Sequence, residues 1–418
     1  MSQATLNTAL NTENLPLSDK DRLIYLRADV VPSANIVGGQ APLNISLVID
    51  KSGSMYQEGR LRYVQEAVKY VIDNLRQQDV ISLIAFAASS QVILPAQTIS
   101  DKASAKGLVD GIDDIDVGNI TKMLEGIRKG CVEVKKNLAP DRINRVIILT
   151  DGLTKDPVGC EIEVQKQHKQ QLTFSTIGVG NEFNESLLLS MATRNGGKSY
   201  YIDNPDTIGK IFAEELRGMQ SVALRNIRVS LKMFNDVHLR RCFKAHPQIS
   251  PMDLPEPVDQ TATFDLGDVS LGEQLSLLGE LNLPPREAGL HNIILVEASY
   301  DTSDGAETLQ STVSVNCTSD ENVSGEVNAD VLRLVDIVSI FDRQAKAQAV
   351  ADAGGQVRAT QLLRTAATTA LRLGDAGLAQ NLDIEANNVQ QTGRASIKGT
   401  KMLEYGTRML TQMLDTPM

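Results

Sequence analysis

Between residues 43 and 218, aliphatic runs alternate with apolar stripes at helical spacing. Leu43, Ile45, Leu47, Val48 and Ile49 form a run that stops at Asp50, followed by Ser52, Gly53 and Ser54, which predicts a buried strand ending in a polar loop. Leu61, Val64, Ala67, Val68, Val71, Ile72 and Leu75 recur at spacings of three and four, so a helix is expected over 60–76. Strands follow at 80–86 and at 91–94, the latter confined to an edge or an end by Pro95. Asp101 can cap a helix to Val109, and Thr121 another running through Cys131 to Lys136. Further strands are expected at 146–150, 172–179 and 199–202, with helices near 185–193 and 205–216. This alternation predicts a doubly wound α/β domain with a mostly parallel sheet over 41–218.

After Ser221 the period changes to two. Segments 227–233, 262–266, 275–281, 292–298 and 310–315 alternate apolar and polar residues between turns rich in Pro, Gly and Asp, which predicts a β-sandwich over 219–320. Asp301 to Gly305 reads as a hairpin loop. Residues 22–31 are also strand-like, so the segment 1–40, broken at Pro32 and Gly38-Gly39, is expected to lend strands to that sandwich. Beyond the polar stretch 318–324 the period returns to helical. Stripes at Val331 to Phe341, Leu362 to Leu371, Leu378 to Leu382 and Met402 to Met413, broken at Gly354-Gly355, Gly374 and Gly393, predict three or four packed helices over 325–418.

With 418 residues, two or three domains are expected. The net charge of −11 argues against nucleic acid as a partner, because that affinity rests on neutralising phosphates. Cys131, Cys160, Cys242 and Cys317 have no Cys-x-x-Cys spacing, and no run approaches the ~20 apolar residues of a transmembrane span. With no basic start followed by an apolar core either, the expectation is a cytoplasmic protein with reduced thiols.

The chemistry concentrates at strand ends. Asp50-x-Ser52-x-Ser54 alone reads equally as a capped turn, since both residue types bond nearby amides. Thr121 and Asp151, however, are expected at the same edge of the sheet. Two carboxylates with hydroxyls suit a hard cation, Mg²⁺ above all, with Mn²⁺ or Ca²⁺ as alternatives. A helix-loop-helix calcium site is excluded, because its sixth position would be Met55 and its twelfth Leu61.

Ile49-Asp50-Lys51-Ser52-Gly53-Ser54-Met55, Gly118-Asn119-Ile120-Thr121 and Leu149-Thr150-Asp151-Gly152 together resemble the metal-ion-dependent adhesion site of the von Willebrand factor type A (VWA) family. The family usually places two glycines directly before the threonine; here Asn119 and Ile120 intervene. The resemblance implies that Ser52 and Ser54 bind the metal directly. Asp50, Thr121 and Asp151 would exchange between direct and water-mediated contact, and an acidic side chain of a partner protein would complete the shell. It implies an adaptor that is not an enzyme. The domain order also resembles coat adaptors, and intracellular bacterial relatives resemble partners of ring-shaped AAA+ ATPases, so a structural subunit of a larger assembly is the alternative. A Mg²⁺-dependent phosphotransfer enzyme with Asp50 as nucleophile fits less well, because Ser52 stands where such chemistry needs a second carboxylate as general acid.

Overall fold

The computed structural model describes residues 3–34, 41–168, 170, 172–193, 196–234, 236–302, 305–320 and 326–411. The expected break at Gly38-Gly39, the end of the polar stretch at Ser324 and the last stripe residue, Met413, lie outside these residues. The chain opens with β1 (Ala4–Leu10), β2 (Asn14–Pro16) and β3 (Arg22–Pro32). It continues with β4 (Leu43–Asp50), α1 (Arg60–Asn74), β5 (Val80–Phe86), β6 (Ser90–Thr98), α2 (Lys102–Asp110) and α3 (Met123–Lys135). Then come β7 (Ile143–Thr150), α4 (Pro157–His168), β8 (Thr173–Val179), α5 (Glu185–Thr193), β9 (Ser199–Ile202) and α6 (Ile208–Gln220).

These segments build a six-stranded sheet in the order β6-β5-β4-β7-β8-β9, parallel except for β6. The chain leaves β4 for β5 on one side and returns to β7 on the other, so strand order reverses at β4. That reversal sets the carboxyl ends of β4 and β7 side by side, with Ile49 opposite Leu149. Helices cover both faces: Leu61, Val64 and Val68 of α1 join Phe212 and Leu216 of α6 on one, while Ile127 of α3, Val164 of α4 and Leu188 of α5 pack on the other. This is the doubly wound α/β fold that the alternation predicts.

The chain proceeds through β10 (Val222–Met233), β11 (His238–His246), β12 (Ser250–Met252), β13 (Thr261–Ser270), β14 (Leu275–Leu283), β15 (Gly289–Thr302) and β16 (Gly305–Thr318). Two sheets, β1-β3-β14-β11-β12 and β13-β10-β15-β16-β2, stack through residues at alternate positions. Ile24, Leu26, Ala28 and Val30 of β3 meet Val229, Leu231, Val296 and Ala298 in one core. The first sheet thus takes strands from both sides of the α/β segment. Its outer face, through Phe243, Ala245 and Leu278, packs on the helices α7 (Ala329–Asp352), α8 (Gln356–Arg372), α9 (Ala376–Thr392) and α10 (Ile397–Arg408). No helix among the described residues is long and apolar enough to cross a membrane.

Six elements depart from the hydrophobic pattern. In β1 only Ala4 and Leu10 are buried, so Thr and Asn dominate its readable positions, and β2 is three residues long. Helix α4 exposes Val158 and Ile162 while burying Cys160, Val164 and Gln167, which scrambles its stripe. Strand β11 carries Arg240, Arg241 and Lys244, and β12 pairs with it over three residues. The last helical stripe is also mixed, since Leu403 and Leu410 are buried but Met402 is exposed.

Candidate metal centre

Strand β4 runs fully buried to Asp50, and the chain then turns through Ser52 and Ser54 before α1 begins at Arg60. The turn is fixed by Asp50 itself: its Oδ1 accepts the Ser52 backbone N–H at 2.7 Å, and its Oδ2 accepts the Thr150 hydroxyl at 2.6 Å. Neither bond brings a positive charge. Burial therefore pushes the Asp50 carboxyl up to about 6, against the lowering effect of the Thr150 and Ser52 hydrogen bonds. A buried carboxylate held this way is short of a counter-cation.

Asp151 comes from the adjacent strand end, one residue beyond β7, and is likewise buried. Its Oδ1 accepts the Ser54 hydroxyl at 2.6 Å, and Ser54 Oγ lies 3.2 Å from Ser52 Oγ. Thr121 arrives on the loop before α3. It does not cap that helix as expected: α3 starts at Met123 with Lys122 as N-cap and no side-chain cap bond, and the Met123 N–H is met instead by the Thr154 hydroxyl at 3.2 Å. A Cβ placed on Gly152 would sit 3.2 Å from Thr121 Oγ1 and 3.9 Å from Ser54 Oγ. Both hydroxyls therefore face the small volume that glycine keeps open. The Thr121 carbonyl accepts the Lys155 N–H at 3.1 Å, which ties this loop to the one carrying Asp151.

All five sequence-derived residues are thus brought to one edge of the sheet, on three loops. Their donors are two carboxylates and three hydroxyls, all hard oxygens, and this set fits Mg²⁺ or a similar dication. Among the described residues no group of three or more His, Cys, Asp or Glu could hold a metal ion. The four cysteines are free and buried, and burial raises the thiols of Cys131, Cys160 and Cys242 to about 12.

One member of the site is not signalled by the motif. Arg60, the first residue of α1, donates Nη1 to Asp151 Oδ2 at 2.7 Å and Nη2 to Glu58 at 3.0 Å. Glu58 and Gly59 both have left-handed backbones, φ +53° and +66°, and this double turn swings Arg60 under the site. Gly180, beyond β8, completes the enclosure: a Cβ there would stand 3.1 Å from Arg60 Nη2.

The family model for the von Willebrand factor type A domain matches residues 44–214, and that for the Sll0103-like C-terminal alpha-helical domain matches 329–413. The chain is 28% identical to the Synechocystis protein sll0103 over 421 residues, covering 98% of this chain and 96% of that one. It is 27% identical to Escherichia coli YfbK over 68% of this chain but 49% of the relative, so it spans about half of that protein's length. A solved structure described as von Willebrand factor type A from Catenulispora acidiphila superposes with a TM-score of 0.80 at 18% identity, covering 97% of both chains. With the doubly wound sheet and the motif residues at its switch point, residues 44–214 belong to the von Willebrand factor type A domain family.

Proposed function

We propose that Asp50, Ser52, Ser54, Thr121 and Asp151 hold a Mg²⁺ ion, and that this ion receives an Asp or Glu side chain of a partner protein. The observation carrying this reading is the link from Ser52 through Ser54 to Asp151, which joins two loops far apart in sequence into one set of hard oxygen donors. Two carboxylates only just balance a dication and leave a coordination position, which an incoming carboxylate fills as a further hard oxygen ligand. The bound ion supplies Lewis acidity toward that oxygen. The protein's own groups orient it: Thr150 and the Ser52 amide fix Asp50, and Asp151 accepts the Ser54 proton while the hydroxyl oxygen keeps a lone pair for the metal.

The reading is of an adaptor and not of an enzyme. Ser52 is engaged with Ser54 and carries no proton suited to general acid work. The buried, unpaired thiols fit a reducing, cytoplasmic setting. The test is affinity capture from native lysate with the full chain as bait, in Mg²⁺ and in EDTA, beside the Asp50→Ala/Ser52→Ala variant. Partners retained in Mg²⁺ and lost under both other conditions are expected. Partners that survive EDTA and the double substitution would make the chain a metal-independent scaffold.

A further inference from the structure

Arg60 has no place in a minimal metal site. It is largely buried, its side chain 12% exposed, and it sits against one of the two carboxylates that the metal needs. Asp151 has two oxygens, and both are engaged: Oδ1 by the Ser54 hydroxyl and Oδ2 by the guanidinium. The first contact is compatible with an ion on Ser54, because a ligating hydroxyl still has a proton to donate. The second contact brings a full positive charge, so one of the two carboxylates is already matched by an internal cation. The other basic residue on the loop, Lys51, is placed differently, with its ammonium 5.2 Å from the centre of the Tyr56 ring.

The hold on Arg60 is also divided. Its Nη2 is shared with Glu58, whose side chain is 65% exposed, and its Nε is buried without a hydrogen-bond partner among the described residues. A guanidinium with a second acceptor at 3.0 Å and an unsatisfied nitrogen has an alternative arrangement close at hand. Glu58 can take the charge when Asp151 is drawn elsewhere.

We infer that Arg60 is a built-in competitor of the divalent ion, holding Asp151 until the metal displaces it toward Glu58 and so setting the affinity of the site. This rests on the metal-binding reading above. Two consequences oppose one another in a single variant. In Arg60→Met the ion no longer meets a neighbouring like charge, so Mg²⁺ binds more tightly, by about tenfold for one removed charge beside a polar, partly buried site. In EDTA the same variant leaves Asp151 buried and unpaired, so its melting temperature falls. Arg60→Lys keeps the charge and serves as the folding control, with an affinity near the parent's.

The experiment is calorimetric titration of the full chain and both variants with MgCl₂ and MnCl₂, with thermal melts in EDTA and in saturating Mg²⁺. Tighter binding in Arg60→Met, together with a wider gap between its EDTA and Mg²⁺ melting temperatures, is the expected result. A parent that binds no ion beside an Arg60→Met that does would support the inference equally. Metal binding by both with equal or weaker affinity in Arg60→Met overturns the competitor role and leaves the metal site standing. Absence of binding in all three proteins overturns the metal reading, and this inference with it.

Discussion

Ser54 Oγ lies 2.6 Å from Asp151 Oδ1 across 97 residues of sequence, and this contact closes the site between the ends of β4 and β7. Replacing Ser54 with alanine removes a proposed metal ligand and the hydroxyl that donates to Asp151. Calorimetric titration of Ser54→Ala should show Mg²⁺ affinity reduced by at least about tenfold. Urea unfolding in EDTA should show a loss of about 1–2 kcal/mol from the missing bond to a carboxylate. Unchanged affinity would place the ion elsewhere on the protein.

At the opposite end of the sheet, a buried ion pair joins the α/β segment to the sandwich. Arg145 of β7 donates to Glu215 of α6 at 2.9 Å and stands 3.6 Å from Asp268 of β13, while Tyr200 donates to the second Glu215 oxygen at 2.7 Å. Burial alone would raise the Glu215 carboxyl, but Arg145 and Lys198 outweigh it and hold it below its ordinary value. Arg145→Met strands that charge and should cost about 3–5 kcal/mol in urea unfolding. Adding Glu215→Gln should restore part of the loss; a double variant whose loss equals the sum of the two single losses would refute the coupling.

Lys244 is fully buried on β11, with its ammonium donating to the Leu266 carbonyl at 3.1 Å. Burial, assisted by the charges of Lys198 and Arg145, pushes it down to about 8 from its ordinary 10.5. Because the folded value is below the unfolded one, the unfolded chain holds the extra proton between about pH 8 and 10.5, and Lys244 makes stability rise with pH across that window. The full span corresponds to roughly 3 kcal/mol. Lys244→Met should therefore gain on the parent at pH 7 and lose that advantage by pH 10, as measured by denaturant midpoints at both values. A difference that is the same at the two pH values would contradict the account.

What could be read from sequence was what is local. Asp50, Ser52 and Ser54 lie within five residues, and Asp151 directly follows an aliphatic strand, so each announces itself at a strand end. Arg60 was invisible because its meaning depends on a partner 91 residues away and on the left-handed turn at Glu58 and Gly59. Thr121 is legible by its type and position, but the cap expected of it is not made: Lys122 takes the N-cap position and Thr154 accepts the Met123 N–H. Strand β11 was hidden because Lys244 and Arg241 are charged positions satisfied by the Leu266 carbonyl and by Asp342 of α7, partners that a strand pattern does not show.

The shared sandwich also imposes an order in time. Strand β3 pairs with β14, Arg27 facing Leu278 about 250 residues later. At ~5–20 residues per second of synthesis, β3 exists for more than ten seconds before its neighbour leaves the ribosome. During that interval the α/β segment is complete and able to fold, while the earlier strand carries an unpaired edge. The α/β unit that carries the proposed ion site is therefore made first and the platform that carries it is finished last, so a nascent chain long enough for residue 220 to have left the ribosome should already present that site.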